Sequence, residues 1–172
     1  PHVEHYTIGL TEELSKYVEL TLVSTRRYAL SSRQVVVPRI PLPGRRTALR
    51  DIVMRLLTKV HDIAHVNNSQ EGLHIKPDKL LVTEHGWPDP EAVEKSMQRY
   101  YLREREALFK LYEIGVPIVT ISNYCSMMLR ELGVKATRVI YHGLLENFVA
   151  SSPRSAPQQH IILQVSRLVP FK

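Results

Sequence analysis

Three side chains have the chemistry and the position to hold a ligand: His85, Arg167 and Lys172. Arg167 and Lys172 follow the apolar run Ile161-Ile162-Leu163-Gln164-Val165. A guanidinium fork beside an ammonium suits phosphate oxygens; two solvated basic residues at a strand end would carry the same letters. His85 follows Leu80-Leu81-Val82-Thr83 and precedes Gly86-Trp87-Pro88, the kind of position where parallel sheets bind ligands. The competing reading is a strand-end histidine satisfied by backbone groups. Trp87 either stacks on a ligand ring or packs beneath its own loop.

Glu4 sits in the first turn of a helix, where the helix dipole favours an acid whether or not it binds anything. Ser122 either faces a cleft or caps the helix that follows it. His65 and His142 read as structural. No two aspartates have the spacing of a metal-binding D-x-D motif, and Cys125 is the single cysteine, so neither a disulfide nor a Cys-based metal cluster can form within the chain. Metal-independent chemistry without a resident cofactor is the expectation.

The elements that must position these residues alternate. Val3, Tyr6, Leu10, Leu14, Tyr17 and Val18 approach a helical stripe over residues 3–18. Leu20–Val23 and Val35–Val37 read as strands. Thr47 can cap a helix whose apolar set is Leu49, Ile52, Val53, Leu56, Leu57 and Val60. That stripe has the width expected for covering a sheet. Strands follow at 63–66 and 80–83, then Asp89-Pro90 reads as a helix start, the helix running to about Ile114 and ended by Gly115. Val116–Ile121, a short helix ended by Gly133, and Arg138–Tyr141 complete the series. Strands separated by long helices imply crossover connections and parallel pairing. The fold class is therefore α/β: a Rossmann-like parallel sheet with helices on both faces. The strand that should precede the first helix has no counterpart in the sequence.

The net charge is +6 and the pI about 9.6, a balance that favours acidic partners without choosing among them. No nucleic-acid-binding module is recognisable, and none is expected as a partner. No apolar run reaches the roughly 18 residues of a membrane span. Arg45, Arg46, Arg50, Arg55 and Lys59 flank the stripe of residues 45–60, a pattern that also suits contact with an anionic membrane surface.

The order of these pieces resembles a known family. Val116-Pro117-Ile118-Val119-Thr120-Ile121-Ser122, a short helix, Leu132-Gly133-Val134 and Arg138-Val139-Ile140-Tyr141-His142-Gly143 are similar to the retaining glycosyltransferases of family 4 (group 1). Their pattern is a strand ending in Ser, a helix, a Gly-Val pair and a "V-I-x-N-G-[VI]-D" turn that closes the first lobe of a GT-B fold. Asp62–Val66, Leu81–Gly86 and Val3–Leu14 resemble the family's "D-h-h-H-h" strand, "T-x-H" strand end and first helix. Ile162–Lys172 resembles its second-lobe opening, "hhhxGRLxxxKG". Pro1-His2 stand where the family has Gly-Gly, His142 where it has Asn, and Leu145 where it has Asp. The family's acidic E-x7-E motif lies well downstream of that opening and has no counterpart there in this sequence.

The resemblance implies an acceptor-side Rossmann-like lobe at residues 1–150, a linker at 151–160, and the first strand and loop of a donor-side lobe at 161–172. It implies hexosyl transfer from a nucleotide-diphosphate-sugar to a sugar, glycan or lipid acceptor with retention. His85 would contact the donor sugar, Arg167 and Lys172 its diphosphate, with Glu4 and Ser122 as further binding residues. The chain alone is expected to be inactive, and a cytoplasmic location, peripheral to the inner face of the membrane, would follow. A non-catalytic sugar- or nucleotide-binding module and a GT-B sugar-nucleotide epimerase are the alternatives.

Overall fold

The computed structural model describes residues 2–37, 48–86 and 93–143. Helix α1 spans His2–Leu14, strand β1 Thr21–Ser24, strand β2 Arg33–Val36 and helix α2 Ala48–Val60. Strand β3 (Ala64–Val66), the one-turn helix α3 (Ser69–Gly72) and a 3₁₀ turn at Pro77–Lys79 lead into strand β4 (Leu80–Glu84). Helix α4 (Lys95–Glu113), strand β5 (Ile118–Thr120), helix α5 (Asn123–Glu131) and strand β6 (Arg138–Val139) follow. The architecture is α/β with parallel strands throughout, as a Rossmann-like fold requires.

Local chemistry explains the boundaries. The Asn68 side chain caps α3 by accepting from the Glu71 amide, and Ser122 caps α5 by accepting from the Cys125 amide. Both α4 and α5 end on glycines with φ of +81°. Beyond each, the Val116 amide returns to the Leu111 carbonyl and the Val134 amide to the Leu129 carbonyl, which satisfies carbonyls the helix leaves open. Lys79 Nζ donates to the carbonyls of Thr58, in the last turn of α2, and His61, just past its end.

Among the described residues two apolar clusters form the core. Val66, Ile75, Leu80, Val82, Leu111 and Val116 make one, with Met54 of α2 against it. Leu108, Ile118, Leu129 and Val134 make the other. Gly72 lies so close to the first that a Cβ there would stand 2.9 Å from both Leu80 Cδ2 and Leu111 Cδ1.

The fold class is as expected, and three details refine or correct it. Among the described residues the strands divide between two sheets: β1 pairs with β2, while β3-β4-β5-β6 run in that order. In a single doubly wound sheet, a strand ahead of α1 would pair on both sides and join the two groups. Among the described residues none does so, and the bond from His61 Nε2 to Thr21 Oγ1 (3.0 Å) links them instead. Second, α1 stops at Leu14, leaving Tyr17 and Val18 exposed. Third, the α2 stripe does not all face a sheet. Met54 packs inward and Thr58 is buried, whereas Ile52, Leu56 and Val60 are 55%, 56% and 78% exposed.

Thr47, Asp89-Pro90, the linker at 151–160 and the run Ile161–Val165 lie outside the described residues.

Candidate functional site

In parallel strands every chain leaves the sheet at the same end, so the residues that follow the strands are gathered in one row. Asn67 follows β3, His85 follows β4, Ser122 follows β5, and His142 lies a few residues past β6. Alternation along β4 puts Thr83 and His85 on one face and Val82 and Glu84 on the other. The first face meets α1, and the second meets α3 and α4.

On the α1 face, Tyr6 brings three elements together. Its ring meets His85 edge-on at 4.8 Å between centroids and stacks on His142 at 4.2 Å. His85 and His142 are 5.1 Å apart. Beneath them His65 Nε2 lies 2.7 Å from Thr83 Oγ1. Asn67 Nδ2 donates to Thr7 Oγ1 (2.8 Å) on α1, while its Oδ1 lies 3.2 Å from His85 Nε2.

The electrostatics follow from this crowding. Burial lowers the affinity of His85 for a proton, and His142 and His65 lower it further, taking its pKa down to about 4. Burial likewise holds His65 and His142 below the ordinary imidazole value and Tyr6 above the ordinary phenol value. At neutral pH the site is therefore a patch of uncharged imidazoles and a phenol. Such groups both donate and accept hydrogen bonds and present ring faces, which suits a polyhydroxylated ligand.

On the opposite face, Glu84 is 5% exposed and accepts a short hydrogen bond from the Ser69 hydroxyl. Glu104 of α4 accepts from the amides of Ser69 (3.0 Å) and Gln70 (3.3 Å) and from Gln70 Nε2 (2.5 Å). Burial pushes Glu84 up to about 7, the Ser69 bond holding it back and the charge on Glu104 adding to the rise. Burial also raises Glu104, and burial with the Glu104 charge raises Tyr100. The two carboxyls bind α3 to α4 and β4 and are sealed from the histidine face.

Of the residues singled out by sequence, His85 stands at the centre of this site. The Ser122 hydroxyl oxygen is engaged by the Cys125 amide at 3.1 Å, so the capping reading accounts for it. Glu4 belongs to α1 by backbone, but its side chain lies outside the described residues, as do Trp87, Arg167 and Lys172. His65 and His142, read as structural, share the site with His85. Tyr6, Asn67 and Thr83 also join it. The signal for all of them was their place at or just past a strand end or on the helix facing it. Among the described residues no group of three or more His, Cys, Asp or Glu is arranged to hold a metal ion, and no helix is long and apolar enough to cross a membrane.

Comparison with known proteins leaves the geometry to speak for itself: no family model, no curated protein and no solved structure matches this chain.

Proposed function

We propose that this chain supplies the acceptor-side wall of the cleft in a retaining GT-B glycosyltransferase. The observation that carries the reading is the convergence of Tyr6, His85 and His142 at the carboxyl ends of parallel strands. A sugar meets such a site through its hydroxyls and its apolar ring face. In the transfer itself, the bond from the sugar's anomeric carbon to the nucleotide diphosphate breaks. A bond to the acceptor oxygen forms on the same face, and the acceptor proton leaves with the diphosphate. His85 orients the sugar in this scheme, and Arg167 and Lys172 meet the diphosphate charge.

Saturation-transfer NMR with millimolar UDP- and GDP-sugars and free hexoses tests the reading. Sugar-ring protons should receive saturation from the protein, and His85→Gln should abolish most of it. If no carbohydrate responds, or if His85→Gln binds equally well, the proposal fails.

A lipid-linked acceptor has its own support. Ile52, Leu56 and Val60 form an exposed row along α2, continued by Ile63 at 70% exposure, with Arg55 and Lys59 exposed beside it. That is the composition of a helix lying on anionic lipid. Sedimentation with phosphatidylglycerol vesicles should carry the protein down, and Ile52→Ser with Leu56→Ser should leave it in solution. Equal sedimentation of the double variant would remove the membrane from the proposal.

A further inference from the structure

The hydrogen bonds around His85 contain more than its position. Asn67 is fixed on both sides, since Val66 before it is buried in the core and Asn68 after it caps α3. Its amide bridges the two neighbours. Nδ2 donates to Thr7 Oγ1 at 2.8 Å, and Oδ1, an acceptor only, faces His85 Nε2 at 3.2 Å. A ring nitrogen opposite a carbonyl oxygen must carry the hydrogen. The other ring nitrogen, Nδ1, then has a lone pair and bonds to no described residue.

We infer that Asn67, held by Thr7, is a positioning residue that keeps the proton of His85 on Nε2 and so makes Nδ1 a hydrogen-bond acceptor for a ligand hydroxyl. The inference rests on the sugar-binding reading for the identity of the ligand, and on the Thr7–Asn67–His85 geometry alone for the state of the ring. It specifies what the ligand presents at this point: an O–H group. A phosphate oxygen there would face a lone pair and be repelled. The partner of His85 thus selects the polyol part of a sugar nucleotide over its diphosphate, in the way an outer partner fixes a ligating histidine's tautomer.

The ring can be read without any ligand. In ¹⁵N-labelled protein at pH 7, His85 should show a protected Nε2–H proton and an Nδ1 shift typical of an unprotonated ring nitrogen, assigned by its loss in His85→Gln. Asn67→Leu should remove the protected proton. Asn67→Asp should keep it and raise the ring's proton affinity about tenfold or more, because a full negative charge now accepts the same bond. His65, His142 and Tyr6 face the ring in both variants, so their influence is common to the comparison. Thr7→Val, which keeps the helix but removes the hydroxyl that orients the amide, should weaken the protection and covers the case in which Asn67→Leu fails to fold.

A proton on Nδ1 in the wild type, or Asn67→Asp leaving the titration unmoved, overturns the inference. With the ring state as expected, a methyl glycoside and inorganic phosphate separate the remaining outcomes. Broadening of Nδ1 by the glycoside and not by phosphate supports the hydroxyl assignment, and broadening by phosphate alone overturns it. A silent glycoside beside a correct ring state counts against the sugar-binding reading and leaves the positioning role of Asn67 intact.

Discussion

Replacing Glu84 by Gln should change how stability depends on pH more than it changes stability at any single pH. The carboxyl titrates at about 7 in the folded protein against an ordinary value of 4.5. Between those values the folded chain holds a proton that the unfolded chain has released, so stability falls as pH rises. The contribution is fully present below about pH 4.5 and lost above about pH 7. At about 1.4 kcal/mol per unit, it is on the order of 3 kcal/mol. Other groups tilt the curve as well: Glu104 in the same direction, and His65, His85 and His142 in the opposite one. The difference between wild type and Glu84→Gln removes the histidine backgrounds to first order, while Glu104, whose charge adds to the rise at Glu84, stays coupled to it. The Gln carbonyl can still accept from Ser69. Urea unfolding from pH 4.5 to 8, followed by circular dichroism, should give a wild-type advantage that shrinks by roughly 3 kcal/mol across the range. A difference independent of pH would mean that Glu84 is as well solvated folded as unfolded, and the burial argument would be wrong.

Three further outcomes follow from the same structure. The His85 imidazole should titrate near pH 4 by NMR, its contribution to stability being present above pH 6.5 and lost as pH falls toward 4; a midpoint at the ordinary value would deny the crowding around it. Gly72→Ala places a methyl 2.9 Å from two leucine termini and should cost about 1–3 kcal/mol in urea unfolding, an unchanged midpoint showing that Leu80 and Leu111 yield freely. Ser122→Ala should cost about 1 kcal/mol, recovered by Ser122→Asp; a thermal scan that finds no loss would return the hydroxyl to the ligand site.

Much of the fold was legible because its strands are written as apolar runs. Leu80–Val82 and Ile118–Val119 are buried on almost every side, so their letters leave little choice. Other features have no such imprint. Helix α3 is too short to show a period and exists because Asn68 caps it and Glu104 receives its first amides. The period of α2 announces a stripe but not what covers it, and half of that stripe meets solvent. The site divides in the same way. His85 was visible because a strand and a Gly-Trp-Pro loop bracket it. His142 and Tyr6 were not, because their partnership depends on which strands stand side by side.

The order β3-β4-β5-β6 repeats the order of the chain itself. Among the described residues every pairing in that sheet closes a connection between successive strands. The entropy of loop closure is then met one crossover at a time, although each parallel pairing still waits for its own crossover, as between Val82 and Ile118. A ribosome delivering the chain from its amino end would release each strand next to an edge already able to receive it. Pulse-labelled amide exchange should accordingly find β3 and β4 protected no later than β6, whereas β1 and β2 can close on each other at any time.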